Sequence, residues 1–314
     1  KRQIEIRAGV GSENDGTFSV GAVFAVAAGT LDAWLISGVD FFRCKDIQVR
    51  SASANSECIG FSGLSSSAHV RVEQMLLHGD RNAVAISGGG QGSEGDHRIF
   101  NCIFFSDSTG DIQGFRTVAA DALVYNCTGI CNGAGATGEI VNAASSGTLT
   151  TQNCYWKISG SMTTYTATGS ATINQGANDA TANSDASTVS LRNIAYDNTT
   201  FANAATDNTF DLRHAANSPL INAGVNLASA GVTQDIEGTA RLDGGEGYDI
   251  GAYEDGTPIC WNYTANYRGS NKRFKMAGPG AFPKKLRIPD NVDESTGIMI
   301  DDGVLIDPEE YEVI

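Results

Sequence analysis

Three copies of one phrase recur in the middle of the chain: Arg98-Ile-Phe-Asn-Cys-Ile-Phe-Phe, Ala122-Leu-Val-Tyr-Asn-Cys-Thr-Gly and Leu149-Thr-Thr-Gln-Asn-Cys-Tyr-Trp. Their Asn-Cys pairs fall at 101–102, 126–127 and 153–154, a period of 25 and then 27 residues. Short apolar strands at that spacing, parted by turns rich in Gly, Ser and Asn, are how a β-solenoid is written in sequence. Upstream, Asp46-Ile47 and Gln74-Met75 take the place of the pair, and downstream Asn193-Ile194 does so after a longer gap. The second member of each pair is then Ile47, Met75, Cys102, Cys127, Cys154 and Ile194. Three residues earlier stand Cys44, Val72, Ile99, Val124, Thr151 and Leu191.

Plain strand alternation cannot bury both columns, because they are an odd number of residues apart. A kink at the Asn position removes the conflict, since Asn and Asp tolerate the left-handed conformation that a kink needs. The repeat therefore reads as strand, Asn turn, strand, with Asn side chains able to hydrogen-bond along the stack. The competing reading is a β-sandwich with coincidental Asn-Cys pairs.

This Asn ladder resembles that of the right-handed parallel β-helix proteins that include the pectate lyases. The resemblance implies an all-β, right-handed parallel β-helix (a solenoid) over residues 1–254. A second resemblance lies in Ser218-Pro-Leu-Ile-Asn-Ala-Gly, Asp235-Ile-Glu-Gly-Thr-Ala-Arg241 and Asp249-Ile-Gly-Ala-Tyr-Glu254. It is similar to the closing segment, 218–254 here, of bacterial and phage surface β-helix proteins of the choice-of-anchor Q type. In that family the segment ends the helix and is not an active site. As a cap it would shield the last strand edge from aggregation, with Arg241 pairing Asp235 and Asp249. Carboxylates beside Gly turns also make Asp235, Asp243 and Asp249 a weak calcium candidate, without the spacing of a known calcium loop.

Length and composition suit one elongated solenoid with a small appendage. Glycines number 37 against 6 prolines, and no apolar run is long enough to span a bilayer, so no membrane partner is expected. A chain beginning Lys1-Arg2-Gln3 without Met is expected to continue upstream. Seven cysteines are an odd count, and those at strand positions serve as small hydrophobes. Cys127 and Cys131 lack the second pair or nearby His that a zinc site needs. A net charge of −15 argues against nucleic acid and suits a virion or extracellular protein.

Along the chain, Ile4-Glu-Ile-Arg-Ala-Gly, Phe18-Ser-Val and Ala33-Trp-Leu-Ile-Ser are candidate early strands. Residues 159–188 read as an excursion from the stack, against the alternative of a longer regular rung. After Glu254 the composition changes: residues 255–314 hold five of the six prolines and form a docking or assembly segment. Arg268 to Arg287 carries seven positive charges and no acid, and Asp290 to Glu312 nine acids and no base. Ile298-Met-Ile300 and Val304-Leu-Ile306, around Asp301-Asp-Gly, give a hairpin signal. Such a piece is too short for its own core and must dock.

The chemistry is less legible. Pectate-type lyases use an Arg or Lys base with calcium held by Asp, and hydrolases of the fold use clustered Asp. Arg43, Arg71 and Arg98 share one outward column, a groove for an acidic polysaccharide or a partner's carboxylates, or else a solvated face with Glu73, Asp96 and Asp46 nearby. Asp107, Asp111 and Asp121 lie in one neighbourhood without forming an Asp-Asp pair. His78-Gly-Asp80 and Asp96-His97-Arg98 are acid–base candidates that read equally as turns. Gly88-Gly-Gly-Gln-Gly reads as a turn, and no nucleophile elbow or phosphate loop is present. Outward apolar residues, Phe100 and Tyr125 in one column and Leu76, Ile103 and Tyr155 in another, call for a cover. That cover is either a lateral loop of the same chain or a symmetry mate. With Ile298, Ile300, Val304 and Ile306 they form the expected interface of a homo-oligomer, taken as a trimer. The expected function is a non-enzymatic structural or adhesive component of a larger assembly, such as a phage or virion decoration, fibre or knob protein. The alternative is a secreted polysaccharide lyase or hydrolase, or a glycan-binding surface protein.

Overall fold

In the computed structural model the described residues are 3–8, 23–26, 34–51, 57–65, 67–88, 97–176, 178–183, 191–207, 209–241 and 247–255, with six short strands beyond 260. Asp96, Asp243, Ile300 and Val304 lie outside them, as do Phe18-Ser-Val and the Gly89–Gly92 turn.

The left-handed corner is present on five successive rungs: Asp46, Gln74, Asn101, Asn126 and Asn153 have φ of 61°, 53°, 53°, 50° and 55°. Asn193, at φ 60°, follows Leu191–Arg192 of sheet B and so does not continue the corner column. One residue of that conformation resets the alternation, so the residue after it and the residue two before it both turn inward. Ile47, Met75, Cys102, Cys127 and Cys154 are accordingly buried, as are Cys44, Val72, Ile99, Val124 and Thr151. The amides of Leu76, Ile103, Thr128 and Tyr155 donate to the carbonyls of Ile47, Met75, Cys102 and Cys127 at 2.9–3.2 Å, one rung to the next. Cysteine suits this column because a small thiol fits the corner and still reaches a carbonyl. Cys102 Sγ lies 3.2 Å from the Phe100 carbonyl and 3.5 Å from that of Val72, and Cys127 and Cys154 repeat the arrangement. All six described cysteines are unpaired and buried, and burial pushes the Cys131 thiol up to about 12.

Among the described residues the coil is a parallel β-helix with three sheets of seven, eight and seven strands. Sheet A holds the strands before the corner, from Gln3–Arg7 through His69–Glu73 and His97–Phe100 to Thr172–Asn174. Sheet B holds those after it, from Val23–Val26 through Leu76–Gly79 to Leu191–Arg192. Sheet C closes each coil, with Trp34–Ser37, Glu57–Leu64, Asn82–Gly88, Gly114–Val118, Thr137–Ala144 and Thr163–Ala167.

Within the stretch 159–188, the described residues 159–176 and 178–183 do not leave the stack. Thr163–Ala167, Thr172–Asn174 and Ala180–Thr181 pair in parallel with the preceding rung and make a regular coil of their own. Leu191 consequently pairs with Ala180 in sheet B, beyond the corner, and does not continue the column of Thr151. Polar interior residues hid this coil. Asp179 precedes Ala180 as Cys154 precedes Tyr155, and Thr151, Asp179 and Thr181 are all buried.

The flank of the helix is finished by the chain itself. Residues 194–207, 209–241 and 248–254 lie against the outer side of sheet B and the corner as a strap. Leu76, Ile103 and Tyr155 pack with Phe201, Phe210, Leu212, Leu220, Ile236 and Ile250. Phe100 and Tyr125, stacked at 5.4 Å, pack with Leu227, Val232 and Tyr248. The five outward apolar residues expected at a subunit interface are therefore buried within their own chain. Each such burial stabilises by about 1.5–3 kcal/mol.

Corner amides hold the strap in register. The side-chain nitrogens of Gln74, Asn101, Asn126 and Asn153 donate to the carbonyls of Asp235, Gln234, Asp249 and Val225 at 2.6, 2.7, 3.0 and 2.7 Å. Bonding along the Asn stack, expected from the sequence, amounts to one 3.5 Å contact from Asn153 to Asn126. The amide on each of these four corners faces outward, where the strap's carbonyls need donors. Arg241 clamps the strap, but through a different acid from those expected. Its Nη1 is 2.8 Å from Glu254 Oε2, both side chains being buried, and its remaining donors reach Asn101 Oδ1 and the carbonyls of Gly251 and Ala252.

The chain divides into two compact units, Lys1–Arg241 with Tyr248–Glu254, and Leu242–Gly247 with Asp255–Ile314. In the second, Trp261–Tyr267 and Ser270–Met276 form an antiparallel hairpin, and Leu286–Ile288 pairs in parallel with Tyr311–Val313. The hairpin read from the sequence is present, with Ile298 opposite Ile306.

Two predictions arise from these buried polar groups. Burial pushes the Asp179 carboxyl up to about 6, against the opposing pull of donors from Thr151 Oγ1, the Cys154 amide and Tyr165 Oη. The native state then keeps a proton that the unfolded chain releases near pH ~4. This contribution is complete below pH ~4 and lost as pH rises through about 6, a decline of roughly 3 kcal/mol. Asp179→Asn should flatten that decline in urea unfolding followed from pH 4 to pH 7. Glu254→Ala leaves the buried Arg241 charge uncompensated, and should cost about 3–5 kcal/mol by the same measurement.

Candidate functional site

Sheet A carries the arginine column in the expected register, Arg43 opposite Arg71 and Arg71 opposite Arg98. Rungs ~4.8 Å apart would make three cations repel, and two of them are compensated. Arg43 Nη2 lies 2.7 Å from Glu73 Oε2, with Glu5 at 3.9 Å. Arg98 Nη1 donates to the Ala230 carbonyl at 2.7 Å, and its guanidinium lies 5.9 Å from the Phe100 ring centre. Arg98 is thus an anchor of the strap, a role with no sequence signal because its acceptor is backbone. Arg71, half-buried, has no carboxylate partner among the described residues.

The acidic candidates separate. Asp121 Oδ1 accepts from the Thr148 amide at 2.6 Å and links two rungs. Asp107 is exposed and stands 3.5 Å from His78 Nε2. Burial lowers the His78 pKa while Asp107 raises it, and burial followed by Asp107 raises that of Asp80. His97 of the Asp96-His97-Arg98 set is buried in the coil, and Asp96 lies outside the described residues. Asp235 accepts from the amides of Glu237, Thr239 and Glu254. Asp249 accepts from the Asn222 amide at 2.7 Å and lies 3.0 Å from His214 Nδ1. The two described acids of the calcium candidate, Asp235 and Asp249, thus order the strap's own turns, and Asp243 lies outside the described residues. Among the described residues no group of three or more His, Cys, Asp or Glu is placed to hold a metal.

The polar cluster that does assemble is on the outer face of sheet C, and only Asp111 of it was legible in sequence. Arg116 and Asn142 are register partners on adjacent strands, with Phe115 and Val141 beside them turned into the core. Asn142 Nδ2 donates to Glu139 Oε2 at 3.2 Å. Burial first, and Asp111 second, raise the Glu139 pKa, while Asn142 and Arg116 lower it. Gly138, at φ 98°, makes this packing feasible: a Cβ there would lie 2.6 Å from Asp111 Oδ1 and 2.1 Å from the Ile112 carbonyl. Asp111 and Thr163 are exposed, Glu139 and Arg116 half-buried, and Asn142 only 5% exposed, so the cluster deepens from an acidic rim to an amide floor. Turn lengths conceal it, because 85 to 116 is a longer step than 116 to 142 although both are one coil. A search for alternating strands with polar outward residues, allowing variable turns, would have aligned Ala85, Arg116 and Asn142.

Arg98 and Arg71 differ in a testable way. Arg98→Ala should lower stability by about 1–2 kcal/mol, from the lost bond to a strap carbonyl and lost packing on Phe100. Arg71→Ala should stay within about 0.5 kcal/mol. Thermal unfolding of the two variants checks the contrast.

No protein-family model matches this chain, and no curated protein or solved structure matches it either.

Proposed function

We propose that the protein is a non-enzymatic structural or adhesive component of a larger assembly, of the kind that decorates a phage or virion as a fibre, knob or capsid ornament. Its place would be on a virion or outside the cell. The observation that supports this is the strap. Four corner amides, Arg98 and the buried Arg241–Glu254 pair fix the flank along the coil. A solenoid stiffened along its side in this way suits a load-bearing or displaying element. The excess of acid, a net charge of −15, disfavours nucleic acid as partner.

Assembly is assigned to residues 255–314. The basic run from 268 to 287 and the acidic run from 290 to 312 let one copy pair with a neighbour, and the strands around Ile298 and Ile306 offer edges for addition. Closed cyclic symmetry is the usual outcome for identical chains, and a trimer is the arrangement proposed.

A polysaccharide lyase or hydrolase is the second reading. What favours it is Asp111 beside Glu139, two acids of unlike environment of the kind used for acid–base work.

Two measurements separate these. Incubation with a panel of uronate-containing polysaccharides, with and without calcium, should release no unsaturated or reducing product; release would sink the structural reading. Deleting 255–314 should leave β-rich circular dichroism and abolish oligomerisation in analytical ultracentrifugation. A truncated chain that unfolds or aggregates as a monomer would instead make the tail a stabilising cap.

A further inference from the structure

We propose that the side chains of Lys157 and Asn132 are joined by an amide bond, formed when the lysine amine displaces the asparagine's amide nitrogen as ammonia. This cross-link lies within the coil, goes beyond the assembly reading and does not depend on it.

The first ground is position. Thr128–Cys131 and Tyr155–Lys157 are parallel neighbours in sheet B with Ile130 opposite Lys157, and Asn132 is the first residue beyond the earlier strand. Lys157 Nζ donates to the Cys131 carbonyl at 3.0 Å and is in direct contact with Asn132 Oδ1. Asn132 is held from both ends. Its main-chain amide donates to the Ser106 carbonyl at 2.8 Å, and its Nδ2 to the Thr206 carbonyl of the strap at 3.1 Å. An amine and an amide carbonyl are thus kept together on paired strands, and such proximity is what most accelerates an intramolecular reaction.

The second ground is the surroundings of the two groups. Among the described residues no carboxylate pairs with Lys157. Its neighbours are the two oxygens and the Tyr196 ring of the strap, whose centre lies 5.7 Å from Nζ. Burial lowers the Lys157 pKa, with Cys131 opposing, and so favours the neutral amine that attacks a carbonyl. Conversion to an amide also removes a half-buried cation that no acid answers. Asn132 is meanwhile shielded from the commoner fate of an Asn-Gly pair, attack by the following backbone nitrogen. Gly133 is wedged against the neighbouring rung, where a Cβ would collide with the Ser108 carbonyl, so the Asn132–Gly133 peptide has little room to turn.

The step balances without a co-reactant. Neutral Nζ adds to Asn132 Cγ, a C–N bond forms, and the Cγ–Nδ2 bond breaks as the adduct collapses. One proton from Nζ leaves with Nδ2 as ammonia, so an amine and a primary amide become a secondary amide with no change of oxidation state. Nζ keeps one hydrogen for the Cys131 carbonyl. No carboxylic acid among the described residues stands beside Nζ to shuttle the proton, so positioning carries the reaction, which proceeds slowly after folding. The product ties two successive rungs together beside the strap. It closes a loop from 132 to 157 that the unfolded chain cannot open, which constrains that state as a disulfide would.

The test is mass spectrometry of the full chain, fresh and after long incubation in its folded state at mildly alkaline pH, where more of the amine is neutral. The intact mass should fall below that of the sequence by one ammonia. An acylated Lys157 resists trypsin, so the tryptic peptide 117–157 should give way to 117–192. Cutting that peptide after Glu139 should leave its two parts joined. Lys157→Arg, which keeps the cation, and Asn132→Ala should each restore the full mass and normal cleavage at 157. A full mass at every time would overturn the proposal. So would a deficit that persists in Lys157→Arg, which would place the loss of ammonia at the Asn132–Gly133 backbone. The unaltered chain and its digest carry the result by themselves, so a variant that folds poorly does not obscure it. Oligomeric state and polysaccharide turnover are read separately, and this bond can fail or stand whatever they show.

Discussion

One backbone conformation governs the solenoid: a single left-handed residue between sheets A and B on five successive coils. It lets columns an odd number of residues apart both face inward, and so lets a short repeat bury two sets of side chains. L-residues resist this conformation, and Asn and Asp resist it least. That preference explains Asn at three of the five corners and Asp at one. Gln74 holds the same geometry at φ 53° without the local advantage, and its side chain makes the same kind of bond to the strap as its Asn neighbours. The corner therefore has two duties, to turn the chain and to present an amide outward.

The outward duty explains why the flank is built as it is. A strap of irregular backbone against a protein surface brings carbonyl groups that must be paired. A ladder of corner amides, spaced by the rungs, supplies donors at regular intervals. Between them the apolar pairs Phe100–Tyr125 and Leu76–Ile103 provide the adhesive area, and Arg241 fills the remaining gap with a buried charge answered by Glu254. Breaking either the polar or the apolar set leaves the other partly unsatisfied, so the two are expected to act together.

The fold was legible because the repeat is carried by side chains that face the core. Where interior residues turn polar, as at Thr151, Asp179 and Thr181, the apolar signal lapses and a whole coil was read as an excursion. The strap is legible as a motif but not as a location, since what it offers the corner amides is main-chain carbonyls, which leave no mark in sequence. For the same reason Arg98 could be placed in a column but not given its role, and Arg241 was assigned to Asp235 and Asp249 when Glu254 is its partner. The sheet C cluster escaped because its members, Asp111, Arg116, Glu139 and Asn142, meet only after turns of unequal length are folded away.

The strap also sets an order of events during synthesis. The bonds that fix it join residues 161, 133 and 123 positions apart, from Gln74, Asn101 and Asn126 to Asp235, Gln234 and Asp249. The coils from 69 to 157 can stack from contacts with their neighbours long before residues 225–254 leave the ribosome. Through that interval Leu76, Ile103, Phe100, Tyr125 and Tyr155 face water beside a row of unanswered amides. A nascent chain of this kind offers a sticky flank to any neighbouring copy. Slow translation, crowded polysomes or truncation ahead of Glu254 would thus favour association through the very surface that the finished molecule conceals.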